Sequence, residues 1–149
     1  MDNDEYINLW TSLVHVKDAI SKVRQRELKP FHISPEQSGV LATLWKAPTP
    51  PTPADIARSL FRDPSSVSII LNRMVNNGLI RKTMDKKNRN LIRVSLTNKG
   101  ARIYNQILEN MCVYRIISGL SKEQCQQLGE SLDLLLARAQ TELKTYKKY

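Results

Sequence analysis

The chain has 149 residues, of which 41% are hydrophobic and 25% charged, and its formal net charge at pH 7 is +9. This size corresponds to about one domain with a real core, which argues against a multi-domain enzyme and against a disordered basic tail. The positive charge points to a polyanionic partner, with nucleic acid first and an acidic membrane surface second.

The N-terminal residues and the cysteines indicate the cellular compartment of the protein. The first five residues, MDNDE, are acidic where a secretory signal is positive, and no apolar run is long enough to span a bilayer. We therefore expect a cytoplasmic protein. Cys112 and Cys125 are too few for a disulfide framework and lack the spacing of a zinc site, so we expect two ordinary buried thiols. A redox-sensing pair is the alternative.

Three helices are predicted before residue 61. Apolar side chains recur every three or four residues and indicate a first helix that ends near Lys29 and Pro30; they are Tyr6, Leu9, Trp10, Leu13, Val16, Ile20 and Val23. The segment Ser34-Pro35-Glu36-Gln37 is a capping box that opens a second helix through Trp45. Four prolines then stiffen residues 48–53 into an extended connector, and Thr52 caps a short helix from Ala54 to Leu60.

The next helix has an unusual outer face. The side chain of Asp63 is expected to accept hydrogen bonds from the free backbone amides at the start of this helix. Pro64 begins the helix, and Gly78 ends it in a left-handed conformation. Its inward stripe is Val67, Ile70, Leu71, Met74 and Val75, which leaves Ser65, Ser66, Ser68, Ile69, Asn72, Arg73 and Asn76 outside. Short hydrogen-bonding side chains can approach phosphates or base edges closely. Two short helices joined by a tight turn therefore indicate a helix-turn-helix, although a cap and a solvated charge would also explain Ser65 and Arg73 singly.

A basic β-hairpin is predicted after Gly78. Residues 79–84 and 91–96 flank a polar tip at 85–90, and eight of the nine net positive charges fall between Ala54 and Tyr104. A cationic loop beside a recognition helix can follow a phosphate strand or enter a narrow minor groove. The plainer interpretation of Lys86, Lys87 and Arg89 is a soluble turn that prevents edge aggregation.

The C-terminal third is predicted to form dimerisation helices. Thr97 caps a helix that runs through Ser118 and ends at Gly119, and a capping box at Ser121 to Gln124 opens the last helix. The apolar positions of that last helix are Leu128, Leu132, Leu135, Ala139 and Leu143, widened by Leu134 and Leu136. An apolar surface wider than one stripe is typical of a helix buried by a partner subunit, so we expect a homodimer that reads a palindrome.

The combined motifs resemble the MarR family of prokaryotic winged-helix transcription regulators over essentially the whole chain. The resemblance rests on residues 55–57, 63–68, 77–81, 85–89 and 96–100. It implies a homodimer with interlocked terminal helices, a recognition helix in the major groove and a wing arginine, here Arg89, in the minor groove. It also places Ser65, Ser66, Ser68, Asn72 and Arg73 on the groove-facing side.

The expected fold is mainly α with a small β-hairpin wing (α+β). Residues 1–32 form an N-terminal dimerisation helix, residues 33–100 a winged helix-turn-helix region with its wing at about 80–96, and residues 101–149 the C-terminal dimerisation helices. Each subunit is expected to be one compact domain. Asn88 and Asn90 depart from the family's common aspartate and arginine, which puts a rigidifying salt bridge at the wing tip in question. The proline-rich connector argues against a small third strand.

The predicted function is that of a sequence-specific regulator which binds double-stranded DNA as a homodimer. The predicted contacts are Ser65, Ser66, Ser68, Ile69, Asn72, Arg73, Lys86, Lys87 and Arg89. The resemblance implies that some members bind small aromatic effectors; weak candidates here are Trp10, His15, Trp45 and Tyr104, which core packing would also explain. No catalytic, metal or cofactor motif is found in the sequence. The alternative is a winged-helix protein-interaction module, which predicts an exposed apolar patch.

Overall fold

The computed structural model describes residues 2–146, and over these residues the chain is mainly helical with one two-stranded sheet. The helices are α1 Asn3–Leu28, α2 Pro35–Lys46, α3 Pro53–Ser59, α4 Pro64–Asn76, α5 Asn98–Glu109, α6 Cys112–Ile117 and α7 Lys122–Tyr146. The strands are β1 Ile80–Met84 and β2 Ile92–Leu96, and a 3₁₀ turn covers Lys29–Phe31. The chain divides into two compact units between Met111 and Cys112. The first unit contains α1 to α5 and the hairpin, and the second contains α6 and α7.

The predicted capping box starts α2, and the predicted cap at Thr52 starts α3, where it is also part of a capping box. The Gln37 amide donates to Ser34 Oγ at 3.2 Å while the Ser34 amide donates to Gln37 Oε1 at 3.0 Å. Thr52 and Asp55 make the same reciprocal pair at α3, where the Asp55 amide donates to Thr52 Oγ1 at 3.2 Å. These bonds satisfy amides that the first helical turn leaves unpaired, so the start of each helix is fixed locally.

One predicted cap is wrong. Asp63 stands at the N-cap of α4 with extended backbone angles, but its side chain makes no capping hydrogen bond and is exposed. Pro64 follows it and has no amide proton to satisfy. The Val67 amide is bound by the backbone carbonyl of Asp63 at 3.1 Å. The carboxylate is therefore left to solvent, and α4 begins through backbone geometry.

Helix α4 is fixed in the core by one side. Val67, Leu71 and Met74 are fully buried, and they join a cluster that draws on α1 to α5 and the hairpin. Val75 was predicted to point inward but is 37% exposed. Successive residues of a helix are about 100° apart, so Val75 falls at the edge of the buried stripe and not at its centre. The seven positions predicted to lie outside are all exposed.

The end of α4 sets the direction of the wing. Gly78 has a φ of 71°, as predicted, its amide donates to Val75 O at 2.9 Å, and the Leu79 amide donates to Met74 O at 2.9 Å. This pair of bonds is a Schellman motif, which suits glycine because a side chain is strained at positive φ. The chain therefore leaves α4 at a fixed angle and enters β1 directly.

The hairpin pairs β1 and β2 antiparallel, with Ile80 opposite Leu96 and Met84 opposite Ile92. On the outer edge of β2 the Val94 amide donates to Pro51 O at 2.9 Å. Proline has no amide proton and can only accept, so the connector adds one hydrogen bond to the sheet instead of a third strand. Residues 2–146 accordingly contain two strands, in agreement with the expectation drawn from the connector.

The helix predicted from Thr97 through Ser118 is divided in two. Thr97 caps α5 as expected, because its Oγ1 accepts from the Gly100 amide at 3.0 Å. The helix then stops at Glu109, since Asn110 has a φ of −124° and leaves the helical region, and α6 starts at Cys112. Asparagine competes with helical hydrogen bonds through its own side chain, which weakens a helix at this point. The predicted capping box at Ser121 is present before α7.

Candidate nucleic-acid interface

The outward centre of α4 is formed by residues spaced four, three and four apart. At about 100° per residue, Ser65, Ile69, Asn72 and Asn76 align on the side opposite the buried stripe. Ser66, Ser68 and Arg73 flank this line, and all seven side chains are exposed. Ile69 is 56% exposed and is the large apolar side chain of the set. The face offers short hydrogen-bonding groups and one apolar group, which together can reach base edges.

Three hydrogen bonds from the N-cap and first turn of α5 hold the residues that directly follow α4. Thr97 Oγ1 donates to Gly78 O at 2.6 Å, and Lys99 Nζ donates to Asn77 O at 2.9 Å. The Thr97 amide also donates to Leu79 O at 3.1 Å. Free carbonyl groups and the negative end of the helix dipole both favour a lysine here. The outward face of α4 is thus held in position by these hydrogen bonds as well as by the buried residues of the helix.

An ion pair organises the tip of the wing. Arg93 Nε donates to Asp85 Oδ2 at 2.7 Å, and Asp85 Oδ1 accepts from the amides of Lys87 at 2.8 Å and Asn88 at 2.9 Å. Because of these bonds, the one from Arg93 first, the pKa of Asp85 falls from 3.8 to about 2. The sequence, with Asn88 and Asn90 at the tip, had argued against a salt bridge that holds the wing rigid. The structure forms one from Asp85 and Arg93, so the departures at Asn88 and Asn90 do not remove it.

The turn presents the predicted cations to solvent. Lys86, Lys87 and Arg89 are all exposed, and the Asn90 amide donates to Asn88 Oδ1 at 3.1 Å within the same turn. Arg93 also donates through Nη1 to Pro50 O at 3.2 Å, which ties the base of the tip to the connector. Three positive side chains are therefore carried on a turn that one carboxylate closes.

The wing and α4 are joined by a contact that the sequence reasoning missed. Lys82 Nζ on β1 donates to Asn72 Oδ1 on α4 at 2.7 Å. Side chains alternate along a strand, so Lys82 shares a face with Ile80, which is 2% exposed and belongs to the core. That alternation was the signal that could have placed Lys82 beside α4. The two predicted DNA-facing elements are thus in direct contact.

The structure brings together two of the four candidate effector residues. The rings of Trp45 and Tyr104 lie 5.6 Å apart at 56°, and Tyr104 is 2% exposed while Trp45 is 46% exposed. Trp10 and His15 lie on the exposed surface of α1. Trp45 is thus partly open to solvent, beside a buried tyrosine.

The cysteines and the other ionisable residues that the structure describes add no further candidate site. Cys112 is buried as expected, whereas Cys125 is half-buried. Within residues 2–146, no group of three His, Cys, Asp or Glu side chains is arranged to hold a metal ion. In the same part of the chain, no helix has the length and apolar character that crossing a membrane requires.

A helix-turn-helix whose second helix is exposed on one face and which is followed by a two-stranded hairpin defines a winged helix-turn-helix protein. A model of the MarR family matches residues 33–89. The HTH-type transcriptional repressor MdtR of Bacillus subtilis is 29% identical over 118 residues, which cover 78% of this chain and 76% of MdtR.

Solved structures give the same class. The organohalide-sensing regulator RdhR-CbdbA1625, in its ligand-free form, is 30% identical with a TM-score of 0.76, over 93% of this chain and 85% of that one. Its form bound to 2,4-dichlorophenol aligns equally well. A mutant of MarR from E. coli, complexed with operator DNA, shares the fold at 22% identity and a TM-score of 0.78, over 91% of this chain and 99% of that one.

The chain belongs to the MarR family of transcriptional regulators. The fold class predicted from the sequence, mainly α with a hairpin wing, is confirmed. The exposed face of α4 carries mostly short polar side chains and the wing tip carries three cations, so the alternative of a protein-docking module is not favoured.

Proposed function

We propose that this protein is a homodimeric regulator of transcription that binds a palindromic operator in double-stranded DNA. The observation that carries the proposal is the pairing of two exposed features in one unit. The outer face of α4 carries mostly short, polar side chains and little charge. The neighbouring wing carries Lys86, Lys87 and Arg89 on a closed turn. A close-fitting face suits base edges, and a cationic turn suits phosphates and the minor groove.

The division of labour between these features follows from their chemistry. Ser65, Ser68 and Asn72 can exchange hydrogen bonds with base edges, and the exposed Ile69 can contact a thymine methyl group. The three wing cations attract phosphate oxygens whatever the sequence, so they supply affinity and set the register. Sequence preference is therefore assigned to α4 and salt-dependent affinity to the wing.

Exposed apolar side chains support the homodimer. Six leucines of α7 are between 44% and 57% exposed: Leu128, Leu132, Leu134, Leu135, Leu136 and Leu143. In the first unit, α1 exposes Tyr6, Ile7, Leu9, Trp10 and Val16. Monomeric proteins rarely leave large apolar patches in water, so a second copy is the fitting cover for these faces. A two-fold dimer would present its recognition helices about 34 Å apart, one turn of DNA.

The proposal includes regulation by a small aromatic molecule in the cytoplasm. RdhR-CbdbA1625 is described as organohalide sensing and has a form bound to 2,4-dichlorophenol. The exposed part of Trp45, beside Tyr104, is the aromatic surface that such a ring would contact, and Trp10 and His15 remain candidate contacts. MdtR is named a repressor, which supports repression as the output.

Selection of bound sequences from a random pool of duplex DNA tests the proposal. We expect an inverted repeat whose half-sites are about 10 base pairs apart, centre to centre. Affinity for the recovered sequence should fall steeply as salt rises, because bound phosphates release their counterions. Recovery of no preferred sequence, together with a flat response to salt, would show that DNA is not the ligand.

A further inference from the structure

The contact between Lys82 and Asn72 fixes the orientation of the Asn72 amide. The ammonium group has three protons and no lone pair, so the atom that faces it at 2.7 Å has to be the carbonyl oxygen Oδ1. The amide nitrogen Nδ2 then points away from Lys82. Asn72 is exposed and belongs to the central line of the α4 face, and Lys82 lies beside it.

Two structural features keep Lys82 at this place. The Schellman motif at Gly78 sends β1 back along α4, and Ile80, fully packed in the core, holds the strand face that Lys82 shares. Lys82 itself is half-buried, so part of its stem is already ordered before any ligand binds. A charged hydrogen bond to a side-chain amide is also stronger than a neutral one.

The consequence concerns which base Asn72 can recognise. A free asparagine pairs with adenine because Oδ1 accepts from the N6 amino group while Nδ2 donates to N7. In this protein one lone pair of Oδ1 is occupied by a cation, whose charge weakens the attraction of the other lone pair for a further donor. The Nδ2 protons and the remaining ammonium protons are all donors, and they lie on the two sides of one oxygen.

We propose that Lys82 is a specificity-determining residue, which with Asn72 forms a paired donor that selects guanine over adenine. Guanine presents two acceptors, N7 and O6, on its major-groove edge, whereas adenine presents one acceptor and one donor. The inference deepens the proposed function and rests on it, because it needs α4 to lie in the major groove. Lys82 therefore sets the preference of Asn72 in addition to contributing positive charge.

The test compares sequences selected by the wild type, Asn72→Ala and Lys82→Met. Methionine keeps the length of the lysine stem but has neither charge nor donor. The position at which Asn72→Ala loses its preference identifies the base read by Asn72. We expect guanine there in the wild type, favoured by about tenfold over adenine, and we expect Lys82→Met to abolish that preference or turn it to adenine.

Lys87→Met is the matched control, because it removes the same charge from the wing tip. It should weaken all sequences alike and leave the guanine preference in place. Adenine at the Asn72-dependent position of the wild type, or an unchanged guanine preference in Lys82→Met, would overturn the inference. The first of these readouts needs no Lys82 variant, so it holds even if that variant folds poorly. Loss of sequence preference in the wild type would instead overturn the proposed function.

Discussion

Arg93 Nε lies 2.7 Å from Asp85 Oδ2, and this ion pair joins strand β2 to the first residue of the wing tip. The other oxygen of Asp85 accepts from the backbone amides of Lys87 and Asn88. One carboxylate thus closes the turn and partly neutralises the cations that the turn carries. The position of Lys86, Lys87 and Arg89 depends on a residue that would itself repel DNA.

Asp85→Asn should weaken operator binding several-fold although it removes a negative charge and so raises the net charge of the protein by one. An asparagine oxygen can still accept from the two amides, but it cannot form the ion pair, so the tip loses its fixed position. Fluorescence anisotropy on the selected operator measures the effect. Asp4→Asn is the control, since it adds the same charge at the exposed start of α1 and should leave affinity unchanged. Tighter binding by Asp85→Asn would mean that net charge matters more than wing geometry.

The same ion pair should be visible in an acid titration. The pKa of Asp85 is lowered from 3.8 to about 2, so the ion pair is fully formed above pH 4 and is lost as the pH falls through about 2. The carboxyl chemical shift of Asp85, followed by NMR, should give a midpoint well below 3.8. Because Arg93 is the largest cause, Arg93→Met should raise that midpoint. An equal midpoint in both proteins would assign the lowered pKa to the backbone amides alone.

Arg89→Ala should weaken binding to all DNA sequences alike without changing the dimer. Each subunit loses one cation at the exposed tip, so the slope of log affinity against log salt should fall by about two for the dimer, near 0.9 for each lost contact. Titrations at several salt concentrations measure the slope. Lys122→Ala, at the start of α7, removes an equal charge and should leave the slope as it is. A changed base preference would mean that Arg89 reads sequence directly.

Leu132→Glu should convert the dimer to a monomer and abolish operator binding. Leu132 lies on the apolar stripe of α7 and is 44% exposed, and a charge buried by a partner subunit without a counter-ion is strongly unfavourable. Sedimentation equilibrium gives the mass. Gln126→Glu adds the same charge at an exposed position of α7 that helical geometry places well away from Leu132, Leu134 and Leu136, so this variant should remain dimeric. A dimeric Leu132→Glu would remove α7 from the interface.

Gly100→Ala should destabilise the fold by about 1–3 kcal/mol, as is typical of overpacking. A Cβ at this position would lie 2.0 Å from Leu79 O, a backbone atom at the junction of α4 and β1. Gly129 on α7 has no atom within 4 Å of such a Cβ, so Gly129→Ala should stabilise by about 0.5–1 kcal/mol through helix propensity. Urea unfolding at one protein concentration measures both variants. Equal stability of Gly100→Ala and the wild type would show that the junction can move apart.

Local signals were enough to predict most elements from the sequence. The capping boxes at Ser34 and Thr52 and the glycine at position 78 each depend on bonds that span three to five residues. The helix period then separated the buried stripe of α4 from its exposed face. The errors lie where a local preference competes with its surroundings: Asp63 leaves its carboxylate to solvent, and the helix after Thr97 stops at Asn110.

The sequence by itself determined the class of protein, the helix that faces outward and the basic character of the wing, because periodicity and charge can be read along a chain. Only the tertiary structure decided which side chains meet. Lys82 contacts Asn72 across ten residues, and Arg93 reaches Pro50 across 43. Such pairs depend on the angle at which β1 leaves α4 and on the position of the connector beside β2. These are set by core packing and backbone geometry, which a linear pattern of residues does not contain.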